Sequence, residues 1–247
     1  MKQLLSYLIL LALFLGGCGR TSPVSGMTLT GTVLPDGEVT AYTLLSAGRQ
    51  IGLLTMTIQH VTYRERPSYG IELVAKTRDG AQETTDSSLI FVTRDSMVPL
   101  TTFRFIKTGS DIAATAANYG DSAVAVSAYA QGDQQQQMLP FGPRTYDADQ
   151  LTVLGRVIRV QGRQPIDIRI ISPMGLPAGA ATLDCRLSFI GDDAVRVPAG
   201  NFNCTKLLLQ FGSQKVTVWY EKTGAHRMVR YRTEDGELEM QLAASQS

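Results

Sequence analysis

The residues VRVPAGNFNC, 195–204, state the structural character of this chain most plainly. Val195 and Val197 alternate with Arg196, and Pro198 then stops the strand because it has no N–H to give to a ladder. Gly200 can take the positive φ of a turn, and Phe202 brings the chain back toward an apolar side. Strand, reversal and strand within so short a stretch describe a β-hairpin. A reversal at 199–201 sets Cys204 opposite Arg196 or Val197, as the first residue of the returning strand.

The same alternation spreads in both directions. In LLTMTIQHV (53–61), Leu54, Met56 and Ile58 share one face while Thr55, Thr57 and Gln59 share the other. YGIELVAKT (69–77) repeats the pattern with Ile71, Leu73 and Ala75, and RDG (78–80) ends it with turn residues. Further strands are predicted at 88–94, 101–108, 121–130, 165–172, 181–189, 193–197, 204–211, 215–221, 226–232 and 237–242. EDGE (234–237) is the clearest two-residue hairpin signal, whereas QGDQQQQ (131–137) reads as a solvated loop.

One segment departs from this period. In YDADQLTVLGRVIRV (146–160), Leu151, Leu154 and Ile158 recur at helical spacing. Asp147 is placed to cap the N-terminus, and Gln150 to reach back as in a capping box. Gly155 weakens this helix by about 1 kcal/mol. About a dozen strands and one amphipathic helix predict a mainly β protein: a large curved antiparallel sheet, closed or half closed, with the helix as a lid. A two-layer β-sandwich is the competing architecture.

At the N-terminus, Lys2 precedes the uncharged run LLSYLILLALFL (4–15), too short to span a bilayer as a stable helix and readable as a secretory signal. The following LGGC (15–18) resembles the lipobox of bacterial lipoproteins. That resemblance implies a signal peptide over 1–17 and a lipid-bearing Cys18, with an ordinary secretory signal and a chance cysteine as the other reading; the residues after it read as a flexible tether over 18–27 and a single β-rich domain over 28–247. The expected location is the cell envelope, with the membrane engaged through the N-terminal lipid. Several acyl chains, each gaining about 0.8 kcal/mol per buried CH₂, give stable attachment. Gly19 stands where the family's inner-membrane retention signal has Asp, which implies the outer membrane, facing the periplasm, in a host that has one.

The chain holds 23 basic and 22 acidic residues, and loss of 1–17 removes Lys2 and no acid, leaving 22 of each. A formally neutral protein carries no electrostatic footprint for nucleic acid. His60 and His226 are its two histidines, neither with a second ligand at metal spacing. No nucleophile elbow, zinc-protease or phosphate-loop motif occurs. Asp192 and Asp193 beside Gly191 look like turn or bulge residues, and Asp147 and Asp149 belong to the helix start, where the dipole favours acids. The sequence therefore assigns no catalytic residue, metal or cofactor.

Arg156, Arg159 and Arg163 follow the helix, and Arg227, Arg230 and Arg232 mark one strand. They read as exposed faces balanced by Glu234, Asp235, Glu237 and Glu239, with the rim of a pocket for phosphate or carboxylate as the other reading. Cys185 and Cys204 leave three arrangements open: a disulfide, favoured by an oxidising compartment, two quiet buried thiols, or a reactive thiol. The disulfide requires the chain to fold back a second time, near GDD (191–193), to bring the two cysteines within about 6 Å.

YDADQL with LGRVIRV, then VRVPAGNFNCTKL and VTVWYEKTGAHRMVRYRTEDGELEMQL, resembles a bacterial envelope family, domain of unknown function 3108. The resemblance implies a half-open β-barrel similar to the LolA and LolB lipoprotein carriers, which hold acyl chains between a curved sheet and a helical lid. It supplies no catalytic residues. A non-enzymatic protein that binds an apolar ligand, a lipid or a lipoprotein acyl chain, in the concave face is the leading expectation. Its candidate wall residues are Phe103, Phe105, Leu151, Leu154 and Ile158, with Leu207, Leu209, Trp219, Tyr231 and Met240. The alternative is a structural or partner-binding lipoprotein whose interior is filled by the same side chains. An internal void of several hundred Å³ with apolar walls separates the two.

Overall fold

The computed structural model describes residues 27–29, 33–160, 164–173 and 180–244, with backbone alone at 27–29, 159 and 160. The signal peptide, Cys18, Arg163 and the side chain of Arg159 lie outside the described residues.

A short β1 (Met27–Leu29) precedes a long meander: β2 (Glu38–Ser46), β3 (Arg49–Tyr63), β4 (Arg66–Asp79), β5 (Gln82–Thr93), β6 (Pro99–Thr108), β7 (Asp111–Tyr119), β8 (Ala123–Ala130) and β9 (Asp133–Pro140). The chain then passes through β10 (Thr145–Asp147), a 3₁₀ turn (Ala148–Gln150), helix α1 (Leu151–Val157) and β11 (Ile158–Val160), which pairs with β1. A second meander follows: β12 (Ile166–Ser172), β13 (Ala181–Val197), β14 (Gly200–Phe211), β15 (Gln214–Glu221), β16 (Met228–Thr233) and β17 (Leu238–Leu242). β17 pairs with β2, which joins the meanders into one sheet of fifteen strands running β10, β12 through β17, then β2 through β9. Among the described residues only the short β10 is parallel to its neighbour.

The continuity of this fifteen-stranded sheet, with β1 and β11 as a separate short pair, replaces the two packed layers of a sandwich. Its curvature brings the two edges face to face: Ile171 of β12 packs with Val124, Val126 and Leu139 from β8 and β9. Side chains close this seam, helped by the crossing segment 141–144, where the Phe141 N–H donates to the Ser122 carbonyl at 2.9 Å. Inside the curve lie Leu54, Met56 and Ile58 of β3 and Ile71, Leu73 and Ala75 of β4, all buried, as the alternation predicts.

Several strands escape the sequence reading. β2, with Thr40, Tyr42 and Leu44 buried, and the alanine-rich β7 are missing from it. QGDQQQQ is a turn leading into β9, not a loop. As an edge strand with nearly every residue exposed, β9 has no buried face to impose apolar alternation. The EDGE hairpin is also wider than two residues, because Thr233 turns its hydroxyl onto Asp235 at 2.6 Å and accepts the Leu238 N–H.

The hairpin at 195–204 is tighter than expected. Val197 pairs with Gly200, so Pro198 and Ala199 alone make the turn, and Cys204 faces Asp193 instead of Arg196 or Val197. β13 does not fold back at 191–193; it runs straight through with a bulge that leaves Ile190 unpaired. The bulge re-aims the hairpin tip, which docks through the Ala199 N–H on the Leu242 carbonyl and puts Val195, Val197 and Cys204 into the main core.

Candidate functional site: a cavity above the helix

Helix α1 is held inside the curve from its first turn. Asp147 Oδ1 accepts the Asp149 N–H at 2.9 Å and Gln150 Oε1 accepts the Asp147 N–H at 3.1 Å, the reciprocal capping box the sequence predicts. Asp147 Oδ2 accepts the hydroxyls of Thr102, at 2.7 Å, and Tyr119. Burial, and then the Asp149 carboxylate, push the Asp147 carboxyl up to about 7. Both its oxygens are engaged, so it pins the helix to β6 and β7 and presents no free atom to a substrate.

The helix is held again at its middle and end. Tyr220 donates to the Leu151 carbonyl at 3.1 Å and lays its ring on Gly155, where a Cβ would stand 2.3 Å from the ring. Arg156 donates Nη1 and Nη2 to Glu38 at 2.9 and 2.7 Å, and Nη2 also to the Ala225 carbonyl at 2.8 Å. Its side chain is wholly enclosed, which corrects the expectation of an exposed arginine. A bidentate charge-assisted pair is what allows a guanidinium to be buried there.

The helix divides the interior. Toward the hairpin ends at 63–66, 93–99 and 197–200 the lumen is solid, filled by Val153, Leu154 and Val157 with Tyr42, Ile58, Tyr69, Ile71 and Ile90. Toward the turns at 211–214 and 233–238 it is hollow, with a cavity of about 350 Å³. Successive inward residues of one strand fall on either side of this boundary: Leu73 lines the cavity and Ile71 the core, Leu209 the cavity and Leu207 the core, Met240 the cavity and Leu242 the core. Leu151 and Thr152 of the helix make its floor, and Ser213, Lys215, Glu234 and Glu237 frame its mouth.

One corner of this apolar chamber is polar. Arg104 from β6 donates Nε and Nη2 to Asp86 at 2.9 and 2.6 Å, and Nη1 to Asp149 Oδ1 at 3.2 Å. Asp149 Oδ2 is enclosed beside the Ser88 hydroxyl, which favours the ionised carboxylate. Burial raises the Asp149 carboxyl and Arg104 opposes the rise. Burial alone would lower Arg104, but Asp149 and Asp86 hold it above its ordinary value.

Of the ten wall residues read from the sequence, Leu151, Leu209, Tyr231 and Met240 line the cavity. Leu154, Ile158 and Leu207 belong to the solid core. Trp219 donates Nε1 to Asp193 at 3.1 Å and lies under Lys206 and Arg230, away from the cavity. Phe103 and Phe105 are the clearest correction: both are exposed on the outer face, 45% and 41%, beside Tyr129. Their strand turns Thr102, Arg104 and Ile106 inward instead, because Asp147, Asp149 and Asp86 satisfy the threonine and arginine. Leu54, Leu73, Phe211, Val216 and Val218 are wall residues the sequence reading did not assign, although the alternation already placed Leu54 and Leu73 on one face.

Cys185 and Cys204 are free and buried, which removes the disulfide. On β13, Cys185 and the Asp193 that faces Cys204 are eight residues apart, about 26 Å along an extended strand, far beyond bonding reach. Burial raises both thiols, to about 12 and about 11, which leaves them unreactive. Arg230 and Arg232 both pair with Glu239, and Arg227 with Glu221. His60 donates to the Leu34 carbonyl at 2.7 Å and His226 to the Glu221 carbonyl at 2.9 Å. Among the described residues no His, Cys, Asp and Glu cluster is arranged to hold a metal, and no helix is long and apolar enough to cross a membrane.

The structure aligns with a β-barrel-like protein of domain of unknown function DUF1849 from Brucella abortus at a TM-score of 0.56 and 9% identity, over 86% of this chain and 98% of that one. A protein with a YmcC-like fold from Bacteroides fragilis aligns at 0.31 and 10% identity, over 88% and 99%, too far in shape to bear on the fold. No curated protein matches the sequence. The model of one family, Protein of unknown function (DUF3108), matches residues 38–243, from the first strand of the long meander to the last strand of the second. The chain belongs to the DUF3108 family.

Proposed function

We propose that this protein is a lipid-anchored, non-enzymatic protein of the cell envelope that binds an apolar ligand, a lipid or a lipoprotein acyl chain, inside its curved sheet. The cavity carries this reading: about 350 Å³, walled by Leu54, Leu73, Leu209, Val216 and Met240 and reached between two turns. That size lies within the range of small-molecule sites, and a protein built only as a scaffold gains nothing from an apolar void, which forfeits dispersion contacts along its lining. The anchor rests on LGGC at 15–18 and places the protein, through Cys18, on the outer membrane facing the periplasm where the host has one. No nucleic-acid partner enters the proposal, since the charge is balanced. Purification of the native protein followed by mass spectrometry of the extract tests it: a stoichiometric amphiphile supports the reading. Its absence, together with failure to bind a neutral fluorescent apolar probe, refutes it.

A further inference from the structure

We infer that the cavity takes a single alkyl chain to a depth of about ten carbons, with helix α1 as the stop that sets this length. This rests on the binding function proposed above and specifies the class of ligand: a single-chain amphiphile, or one acyl chain of a larger lipid whose other chains stay outside. Two dimensions of the chamber carry it. The first is depth. On β14 the cavity begins at Leu209, since Leu207 belongs to the solid core, and it ends at Ser213 in the following turn. Four residues at strand rise cover about 13 Å. An alkyl zigzag of ~1.5 Å bonds advances roughly 1.3 Å per carbon, so about ten carbons reach from floor to mouth. The second is width. A cavity of about 150 Å³ holds one benzene, which gives about 25 Å³ per carbon and, with that advance, roughly 20 Å² for the cross-section of a chain. A volume of about 350 Å³ spread over that depth leaves about 27 Å². One chain fits, and two side by side do not.

The floor is built not to yield. Leu151 and Thr152 form it, and three separate holds fix the helix that carries them: Asp147 on Thr102 and Tyr119, Tyr220 on the Leu151 carbonyl, and Arg156 on Glu38. Beneath it Val153, Leu154 and Val157 are buried against Ile58 and Ile71, a close-packed layer with no room for a chain end. Carbons beyond the depth of the chamber therefore stay in water, above Glu234 and Glu237 at the mouth, and add nothing to binding.

Displacement of a neutral fluorophore by the straight-chain alcohols from hexanol to tetradecanol tests it, because one uncharged head group leaves chain length as the variable. Affinity is expected to rise about fourfold per added carbon as far as decanol and less than about twofold per carbon beyond it. Dioctanoylglycerol is expected to bind no more than about threefold tighter than monooctanoylglycerol. In Leu151→Ala, which lowers the floor, the break in the series moves about two carbons longer. In Leu73→Trp, which fills the void from β4, it moves shorter. A rise that continues unbroken to tetradecanol, a second chain that adds more than this, or a break unmoved in every variant that folds overturns the inference, while binding of the alcohols keeps the cavity function. Failure of every probe to bind overturns both.

Discussion

The ring of Tyr220 occupies the space where a methyl group on Gly155 would stand, 2.3 Å from its Cζ and 2.4 Å from its Cε2. The glycine that looks like a flaw in the helix is what lets the helix settle onto β15, with the Tyr220 hydroxyl on the Leu151 carbonyl. Local propensity and tertiary packing thus oppose each other at one residue.

Gly155→Ala decides which is larger. Propensity alone favours alanine by about 1 kcal/mol, whereas overpacking costs roughly 1–3 kcal/mol. The blocked atoms are a buried ring, not the end of a flexible chain, so packing wins. Urea denaturation of Gly155→Ala will show a lower midpoint than the parent with an unchanged slope.

Arg156 and Glu38 hold the far end of the helix. Arg156→Met leaves Glu38, only 10% exposed, without its guanidinium, and removal of one partner of a buried pair costs about 3–5 kcal/mol. Glu38→Gln in the same chain will recover a large part of that loss. A double-mutant cycle by chemical denaturation measures the coupling, and additive effects would show the pair to be incidental.

Asp147 sets a pH dependence. Its folded carboxyl is raised to about 7, above the ordinary 3.8, so the folded state holds a proton that the unfolded chain has released. Its contribution is fully present below the unfolded value and is lost as pH rises through the folded one, so this group makes stability fall from about pH 4 to about pH 7. In Asp147→Asn that part of the slope disappears. Comparison of the two stability curves over the interval measures it directly, and parallel curves would place the titration elsewhere.

The same residues show what a linear sequence can and cannot disclose. The capping box at Asp147 and Gln150 is legible because both partners lie within one turn. The hairpin near Pro198 is legible for the same reason. The third hold on Asp147, by Thr102 and Tyr119, spans 45 and 28 residues and leaves no local mark. Phe103 and Phe105 mislead because apolar size predicts the inside only when the inner face is apolar, and Arg104 finds two carboxylates there. Likewise the division of the lumen at the helix depends on how deep each strand reaches: Leu207 and Leu209 are chemically identical, yet only the second meets the cavity.

The cavity is the centre of the account, and filling it is its most direct test. Leu73 points into it from β4, so Leu73→Trp places an indole in the void with little strain on the surrounding sheet. Binding of a neutral apolar fluorophore should be saturable at one site per chain in the parent protein and weakened at least about tenfold in a folded Leu73→Trp. Absence of binding in the parent, or undiminished binding in the filled variant, would contradict a ligand site above the helix.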